Sequence, residues 1–436
     1  MNSPVEELQE KREALVARFT QGRAPDFVDR HAEILDDYFQ ESFARSSVGP
    51  RMHMEKNPCV LIALGGYGRN EQCLHSDVDV LLLFKKRVPE EAKELVQEIF
   101  YPLWDIGLEV GHGTRSLREC ARLAAEDFEV LTSMLDARFL CGISSLYSDL
   151  MEGLQDKVFK RRGRSLLRWL VETSQARHAQ FGDSAYLLEP NVKEGLGGLR
   201  DYHAIHWIAW CKYRVKQVSE LVDNGHLARD EFEALSEAVS FIWKVRNWLH
   251  KITGRKCDQL YFEHQVKLAG NLGFEDVNGQ QAVERCLGEM HGHMEFVKHL
   301  HRSFLNRVMP RGQKPYRRKI VSRLRVQGLR ILNEALHFES PEAVRQNPLL
   351  LIKIFEQSAL LGVPLSVDAV RLVRKRLDMI DEGYRRSDAV VQSLRRILVS
   401  PPQTFNVLNE MLNTGILVAL LPEMGAIVNR IQYDEY

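Results

Sequence analysis

Two carboxylates separated by one apolar residue open the chemical reading of this chain. Asp77 and Asp79 flank Val78 in the run Ser76-Asp-Val-Asp-Val-Leu-Leu-Leu-Phe84. On a β-strand alternate side chains share a face, so both acids project to one side. That side cannot be apolar core, because two unpaired buried carboxylates repel one another and each resists desolvation. A divalent cation removes the conflict, and Mg²⁺ prefers one or two carboxylates together with phosphate oxygens and water. Gly65-Gly66 end a preceding apolar run, and successive backbone N–H groups at glycines make an anion-binding nest. Ser76 adds a hydroxyl donor, and Arg69 is a candidate for charge-assisted contact with phosphate, with a structural salt bridge as its rival role. Glu109, between Leu108 and Val110, supplies a third acid that can hold a second metal ion and help deprotonate an incoming hydroxyl. Asp105 is a rival third acid but reads as a helix end. Glycine nest, diacid and phosphate-bridging metal describe a nucleoside-triphosphate site, with Asp77, Asp79 and Glu109 as metal ligands and Gly65, Gly66, Arg69 and Ser76 on the nucleotide.

The elements that must position these residues follow from pattern. Cys59-Val-Leu-Ile-Ala-Leu64 is a continuous apolar run stopped by glycine, which reads as a buried strand. Val78–Phe84 reads as a second strand and Gly107–Gly111 as a third, with a helix over about 90–103 between them. Upstream, Ser3, Pro4 and Glu6 form a capping-box start for a first helix. A second amphipathic helix presents Phe27, Ile34, Leu35, Tyr38 and Phe39 on one side. From about residue 117 the pattern is helical, with helices over about 199–214, 228–253, 263–272 and 280–307. A glycine-rich island, Glu189-Pro-Asn-Val-Lys-Glu-Gly-Leu-Gly-Gly-Leu-Arg-Asp201, interrupts it. Such loops between helical segments are often functional, so Lys193 and Arg200 are expected to face the nucleotide, and Asp201 to cap a helix or pair with arginine. Pro310–Tyr316 reads as a linker. After it Leu324–Val326 and Leu329–Ile331 alternate around Gln327-Gly328, a hairpin signal, followed by short helices.

The phrases Gly65-Gly-Tyr-Gly-Arg69, Trp104-Asp-Ile-Gly-Leu-Glu-Val-Gly-His112 and the glycine island together resemble the bacterial PII uridylyltransferase/uridylyl-removing enzymes. These lie within the polymerase-beta-type nucleotidyltransferase superfamily. Arg246-Asn-Trp-Leu-His250, Thr253-Gly-Arg255, Phe262-Glu-His-Gln265 and Leu421-Pro-Glu-Met-Gly425 extend the likeness over about residues 50–436. Asn70, Gln72 and Cys73 depart from the Gly-Glu-Leu usual there, with Glu71 retained. The resemblance implies an α+β chain: a small mixed-sheet nucleotidyltransferase domain followed by mostly α-helical domains. The expected division is N-terminal helices over 1–48, the nucleotidyltransferase domain over 49–142, an associated helical domain over 143–309 and a mostly helical segment over 310–436. It further implies Mg²⁺-dependent transfer of a uridylyl group from UTP to a tyrosine of the PII signal protein, with release of pyrophosphate. In the family an HD phosphohydrolase domain and two ACT domains follow, and the sequence ends at Ile431–Tyr436, where the HD domain would begin, so a shortened form is expected. Two alternatives stay open from the residues alone: a related nucleotidyltransferase with a small-molecule or RNA 3′-end acceptor, and a non-catalytic nucleotide-sensing module.

Composition bounds these readings. The 436 residues are 44% hydrophobic and 27% charged, ordinary globular usage that excludes a disordered or repetitive chain. Lys+Arg equals Asp+Glu at 59 each, which argues against a nucleic-acid coat despite basic clusters at Lys160–Arg164, Lys314–Arg325 and Arg371–Arg376. Seven cysteines without a CxxC read as reduced, buried thiols of a cytoplasmic protein. No apolar run reaches membrane-spanning length and the N-terminus lacks a signal-peptide core. His291, His293, His299 and His301 suggest a metal, but i and i+2 positions point apart on a helix, so they are expected on a solvated face.

Overall fold

A computed structural model describes residues 3–49, 57–181, 188–277, 279–308, 324, 326–332, 335–401 and 406–428. They fall into two compact units, one drawn from residues up to Met309 and one from Pro310–Gln432.

In the first unit, Ser3 caps helix α1 (Pro4–Thr20): its hydroxyl accepts from Glu6 N–H while the Glu6 carboxylate accepts from Ser3 N–H. Helix α2 (Phe27–Arg45) buries Phe27, Leu35, Tyr38 and Phe39, and Ile34 is half-buried. A four-stranded sheet follows: β1 (Cys59–Ala63), β2 (Val78–Phe84), β3 (Val110–Ser116) and β4 (Arg138–Gly142), in the spatial order β3-β2-β1-β4. The β1 strand runs antiparallel to both β2 and β4, and β2 runs parallel to β3, reached through helix α3 (Ala92–Asp105). The sheet is therefore mixed. One face, carrying Cys59, Leu61, Ala63, Val78, Val80, Leu82 and Phe84, packs with α2 and α3 into a single core that also takes in Leu8 of α1. Burial of both strand parities explains why β1 and β2 read as continuous apolar runs rather than alternating ones.

Two differences from the sequence reading stand out. The third strand starts at Val110 and runs to Ser116, so Glu109 precedes it instead of lying within it. The fourth strand, Arg138–Gly142, is half-buried except for Leu140, and its sequence shows neither a long apolar run nor an alternation. Between β3 and β4 lie α4 (Leu117–Glu126) and α5 (Phe128–Leu135). Then come α6 (Ser144–Gly153), α7 (Lys160–Phe181), α8 (Leu199–Tyr213), α9 (Arg229–Thr253), α10 (Phe262–Asn271) and α11 (Ala282–Val308).

The second unit holds an antiparallel hairpin of β5 (Leu329–Leu332) and β6 (Ala335–Phe338) and a set of short helices around Leu336, Leu351, Ile354, Phe355, Met411 and Ile416. The hairpin expected to turn at Gln327-Gly328 instead begins after that glycine. Leu324 and Val326 lie in no strand, and Leu329 pairs with Phe338. The 310–316 linker, most of the 314–325 basic stretch and residues 431–436 lie outside the described residues. No described helix is long and apolar enough to cross a membrane.

Candidate active site

The sheet brings the acids together through its own hydrogen bonding. Leu64 N–H donates to Asp79 O at 2.9 Å, which fixes the end of β1 beside the start of β2. A one-turn helix, Gly65–Gly68, follows, and the N–H groups of Gly65 and Gly66 have no backbone partner among the described residues. Val78 N–H donates to Glu109 O at 2.8 Å, and Asp79 lies opposite Gly111 in the parallel β2–β3 register. Asp77, Asp79 and Glu109 thus share one face of the sheet. Asp79 sits between two glycines. A Cβ at Gly111 would lie 2.5 Å from Asp79 Oδ1, and one at Gly65 would lie 3.4 Å from Oδ2. Gly111 therefore leaves room that a carboxylate needs, a feature the sequence reading passed over.

The electrostatics of the three acids differ. Burial disfavours the Asp77 carboxylate, but hydrogen bonds from Lys256 and Glu109 outweigh it and hold the group below its ordinary value. Burial, and then the charge of Asp77, push Asp79 up. The hydrogen bond with Asp77 and its charge push the exposed Glu109 up. Asp105 closes α3 and is exposed, as its sequence context suggested.

The helices supply the opposite wall. A cleft of about 420 Å³ is lined by Gly65, Gly66, Ser76, Asp77 and Asp79 on one side and by Lys193, Arg200 and Arg246 on the other. Glu109 is not part of that lining and meets it through Asp77. The segment Arg246–His250 of α9 clasps the loop before Asp77. Arg246 Nη1 donates to Ser76 Oγ at 3.1 Å, Leu74 N–H donates to Asn247 Oδ1 at 2.9 Å, and His75 N–H donates to His250 Nδ1 at 3.0 Å. Arg246 in turn grips Asp258 through two nitrogens. The sequence marks these residues as a phrase without showing their role. Their spacing of i, i+1 and i+4 was the available signal, since it puts Arg246, Asn247 and His250 on one helix flank.

Arg69 does not stand free for phosphate. Its side chain is buried, Nε donates to Glu71 at 2.8 Å, Nη1 donates to Asp136, and His203 lies at 3.1 Å from Nη2. Glu71 is disfavoured by burial, yet Arg69 and His203 hold it down at about 2. Asp136 also accepts from Trp207 Nε1 at 3.1 Å. The loop carrying Arg69 turns through Asn70 at φ 62°, a conformation that asparagine tolerates better than most residues. Asn70 is one of the positions where the sequence departs from the family pattern.

The glycine island is a tight turn leading into α8. Asn191 Oδ1 accepts from Lys193 N–H and Glu194 N–H, and Val192 N–H donates to Asp258 O. Lys193 Nζ stands 4.0 Å from Asp258 Oδ2, and burial followed by the charge of Arg246 lowers its pKa. Arg200 Nε donates to Glu194 at 3.0 Å. Asp201 is buried in the first turn of α8 and pairs with arginine: it accepts from Arg177, His178 and Gly197 N–H, with His301 at 3.1 Å. His178, Asp201 and His301 have atoms close enough for a metal, but the Arg177 guanidinium already occupies the same carboxylate oxygen. The cluster is a satisfied polar anchor beneath the island. His291 and His301 are buried, so the solvated-face expectation fails for them: α11 is packed against both α8 and α9. The seven cysteines are free and buried or half-buried.

Comparison with known proteins finds matches to both parts of the cleft. A family model described as GlnD PII-uridylyltransferase matches residues 166–305, and one described as putative nucleotidyltransferase DUF294 matches residues 9–119. The second match carries the acids and the first carries the helical wall. Proteins named bifunctional uridylyltransferase/uridylyl-removing enzyme are similar over most of the chain. That of Ruegeria pomeroyi is 35% identical over 380 residues, 86% of this chain and 42% of the relative. That of Cereibacter sphaeroides is 35% identical over 88% of this chain and 42% of the relative. That of Novosphingobium aromaticivorans is 32% identical over 94% and 45%. The chain thus spans less than half the length of these relatives.

Proposed function

We propose that the chain is a member of the family of uridylyltransferase/uridylyl-removing enzymes and transfers a uridylyl group from UTP to a tyrosine of a PII signal protein. The observation that carries the proposal is the carboxylate group Asp77, Asp79 and Glu109 on one sheet face, with Gly111 leaving space at Asp79. The donor set is all oxygen and suits a hard divalent ion. Asp77 and Asp79, with Glu109, would hold magnesium in a two-metal site. When bound, the metal supplies neutralisation of triphosphate charge and acidifies the attacking hydroxyl.

The chain's own groups do the rest. Gly65 and Gly66 offer N–H groups, and Ser76 a hydroxyl steadied by Arg246, to phosphate oxygens. Lys193 and Arg200 bring positive charge to the same cleft from the island. Arg69 acts at one remove: paired with Glu71 and Asp136, it holds the glycine turn in place. The tyrosine oxygen attacks the α-phosphorus and the bond to the β-phosphate oxygen breaks. The hydroxyl proton passes to Glu109, and pyrophosphate leaves. The cysteines, free and shielded, suit a reducing cytoplasm.

The test is to incubate the chain with each α-labelled nucleoside triphosphate, Mg²⁺ and a PII protein. Label on PII from UTP alone, lost with chelator, is the expected result. Label from another nucleotide, or none on PII while an RNA or small-molecule acceptor is labelled, would refute the substrate assignment.

A further inference from the structure

Lys256 belongs to none of the motifs that carry the acids, yet its ammonium lies 2.5 Å from Asp77 Oδ2. It sits in the turn after α9, two residues before Asp258. That turn is held from both sides: Arg246 grips the Asp258 carboxylate, and Asp258 O accepts from Val192 N–H of the island. The backbone under Lys256 is therefore fixed, while its side chain is half-exposed and has four carbons of freedom.

The cations that line the cleft have carboxylate partners away from the three acids. Arg246 and Lys193 face Asp258, Arg200 faces Glu194, Arg177 faces Asp201, and Arg69 faces Glu71 and Asp136. Lys256, reaching in beside them, pairs instead with a carboxylate that the nucleotidyltransferase reading needs as a metal ligand. An ammonium and a divalent ion on one carboxylate repel each other, so each weakens the other's hold on Asp77. A metal that bridges carboxylate and phosphate also brings phosphate oxygens to within roughly 4 Å of that carboxylate, two metal–oxygen bonds away. An ammonium displaced from Asp77 needs only a rotamer change to meet them.

We propose that Lys256 is a travelling counter-ion: it neutralises Asp77 while the cleft is empty and moves onto the triphosphate when the nucleotide arrives with its metal. The proposal rests on the nucleotidyltransferase reading of the cleft. It gives Lys256 two opposed effects, competing with metal for the empty site and assisting nucleotide binding.

The opposition makes the test. Lys256→Met keeps the stem and removes the charge, and Lys256→Arg restores charge. Mn²⁺ binding to nucleotide-free protein is followed by the electron-paramagnetic signal of free Mn²⁺. Binding of a non-hydrolysable UTP analogue with Mg²⁺ is followed by calorimetry. The expected result for Lys256→Met is Mn²⁺ affinity raised about threefold or more and analogue affinity lowered about tenfold, the loss expected for one charge-assisted contact. Lys256→Arg should recover most of the analogue affinity. Unchanged or weaker Mn²⁺ binding would overturn the proposal, because a lysine that merely tethers the loop would weaken both ligands together. Unchanged analogue affinity would overturn it equally. Asp79→Asn separates the two levels: Mn²⁺ binding that survives this substitution refutes the metal reading of the cleft itself.

Discussion

Replacing Gly111 with alanine tests the site with a single methyl group. The added Cβ would lie 2.5 Å from Asp79 Oδ1, whereas a carbon and an oxygen in contact sit near 3.3 Å, so the carboxylate must retreat by roughly 0.8 Å. A misplacement of about 1 Å at a reacting centre costs on the order of a hundredfold in rate, equivalent to about 2.7 kcal/mol of transition-state stabilisation. The fold should tolerate the change, because β3 is an edge strand and Gly111 is exposed. Gly113→Ala is the matched control. It lies two residues along the same strand, and the nearest atoms to its Cβ would be Arg115 Nε at 3.5 Å, with Arg115 Cζ and Leu81 Cδ1 at 3.7 Å, ordinary contacts. Alanine there should leave the rate unchanged and stability equal or raised by about 0.5 kcal/mol. The assay is the initial rate of UMP transfer to PII with saturating Mg²⁺, alongside thermal melts of both variants. Equal rates for Gly111→Ala and Gly113→Ala would refute the placement of Asp79 at the reacting centre.

Asp77→Asn and Asp79→Asn should each lower the transfer rate about a thousandfold or more, with melting of the Asp79 variant unchanged or raised, because burial and Asp77 both oppose that charge. Arg246→Ala leaves Asp258 to Lys193 and His250 and releases Ser76, and should cost about 3 kcal/mol in a denaturant titration. Gly197→Ala would put a Cβ 1.9 Å from Met294 O at a φ of +78°, so the variant should melt far below the parent or fail to accumulate as soluble protein. Burial holds His31 and His203 down at about 3 and His250 at about 4. Each is neutral when folded and takes up a proton on unfolding below the usual 6.5. Stability is therefore complete above about pH 6.5 and falls as pH drops toward 4, by about 1.4 kcal/mol per pH unit for each histidine, on the order of 4 for the three. Urea titrations between pH 7 and 4.5 would measure that slope, and a flat profile would contradict it.

Much of the first unit was legible because its signals are local. Ser3, Pro4 and Glu6 form a capping box from adjacent residues. The strands at Cys59 and Val78 are apolar on both parities because helices cover the sheet. Asp77 and Asp79 interrupt the second of these at period two, and nothing but a solvated or charged partner fits such a break. The Arg138 strand escaped because an edge strand with only Leu140 fully buried carries neither a continuous nor an alternating pattern. The hairpin of the second unit was placed one turn early for a similar reason: Gly328 announces a turn, but not which side of it pairs, and register depends on Leu329 meeting Phe338 across the hairpin.

The site was legible in its acids and obscure in its cations, and the reason is physical. A carboxylate pair on one strand face declares itself through spacing within a single element. A cation declares itself only through its partners, and here Arg69, Arg246 and Lys256 each have one from far along the chain. Arg69 reads from sequence as a phosphate contact because it follows a glycine turn, yet Asp136 and His203, distant by 67 and 134 residues, claim its guanidinium. Lys256 belongs to no motif, yet it closes on Asp77 from 179 residues away. The same holds for Arg246, whose hydroxyl partner Ser76 lies 170 residues back. Apart from Arg69–Asp136, these long-range pairs join the sheet side to the helical wall, so the charge balance of the cleft is a property of how the two walls dock. A substitution in the Arg246–His250 segment should accordingly disturb nucleotide binding without touching nucleotide, because it shifts the loop that delivers Asp77.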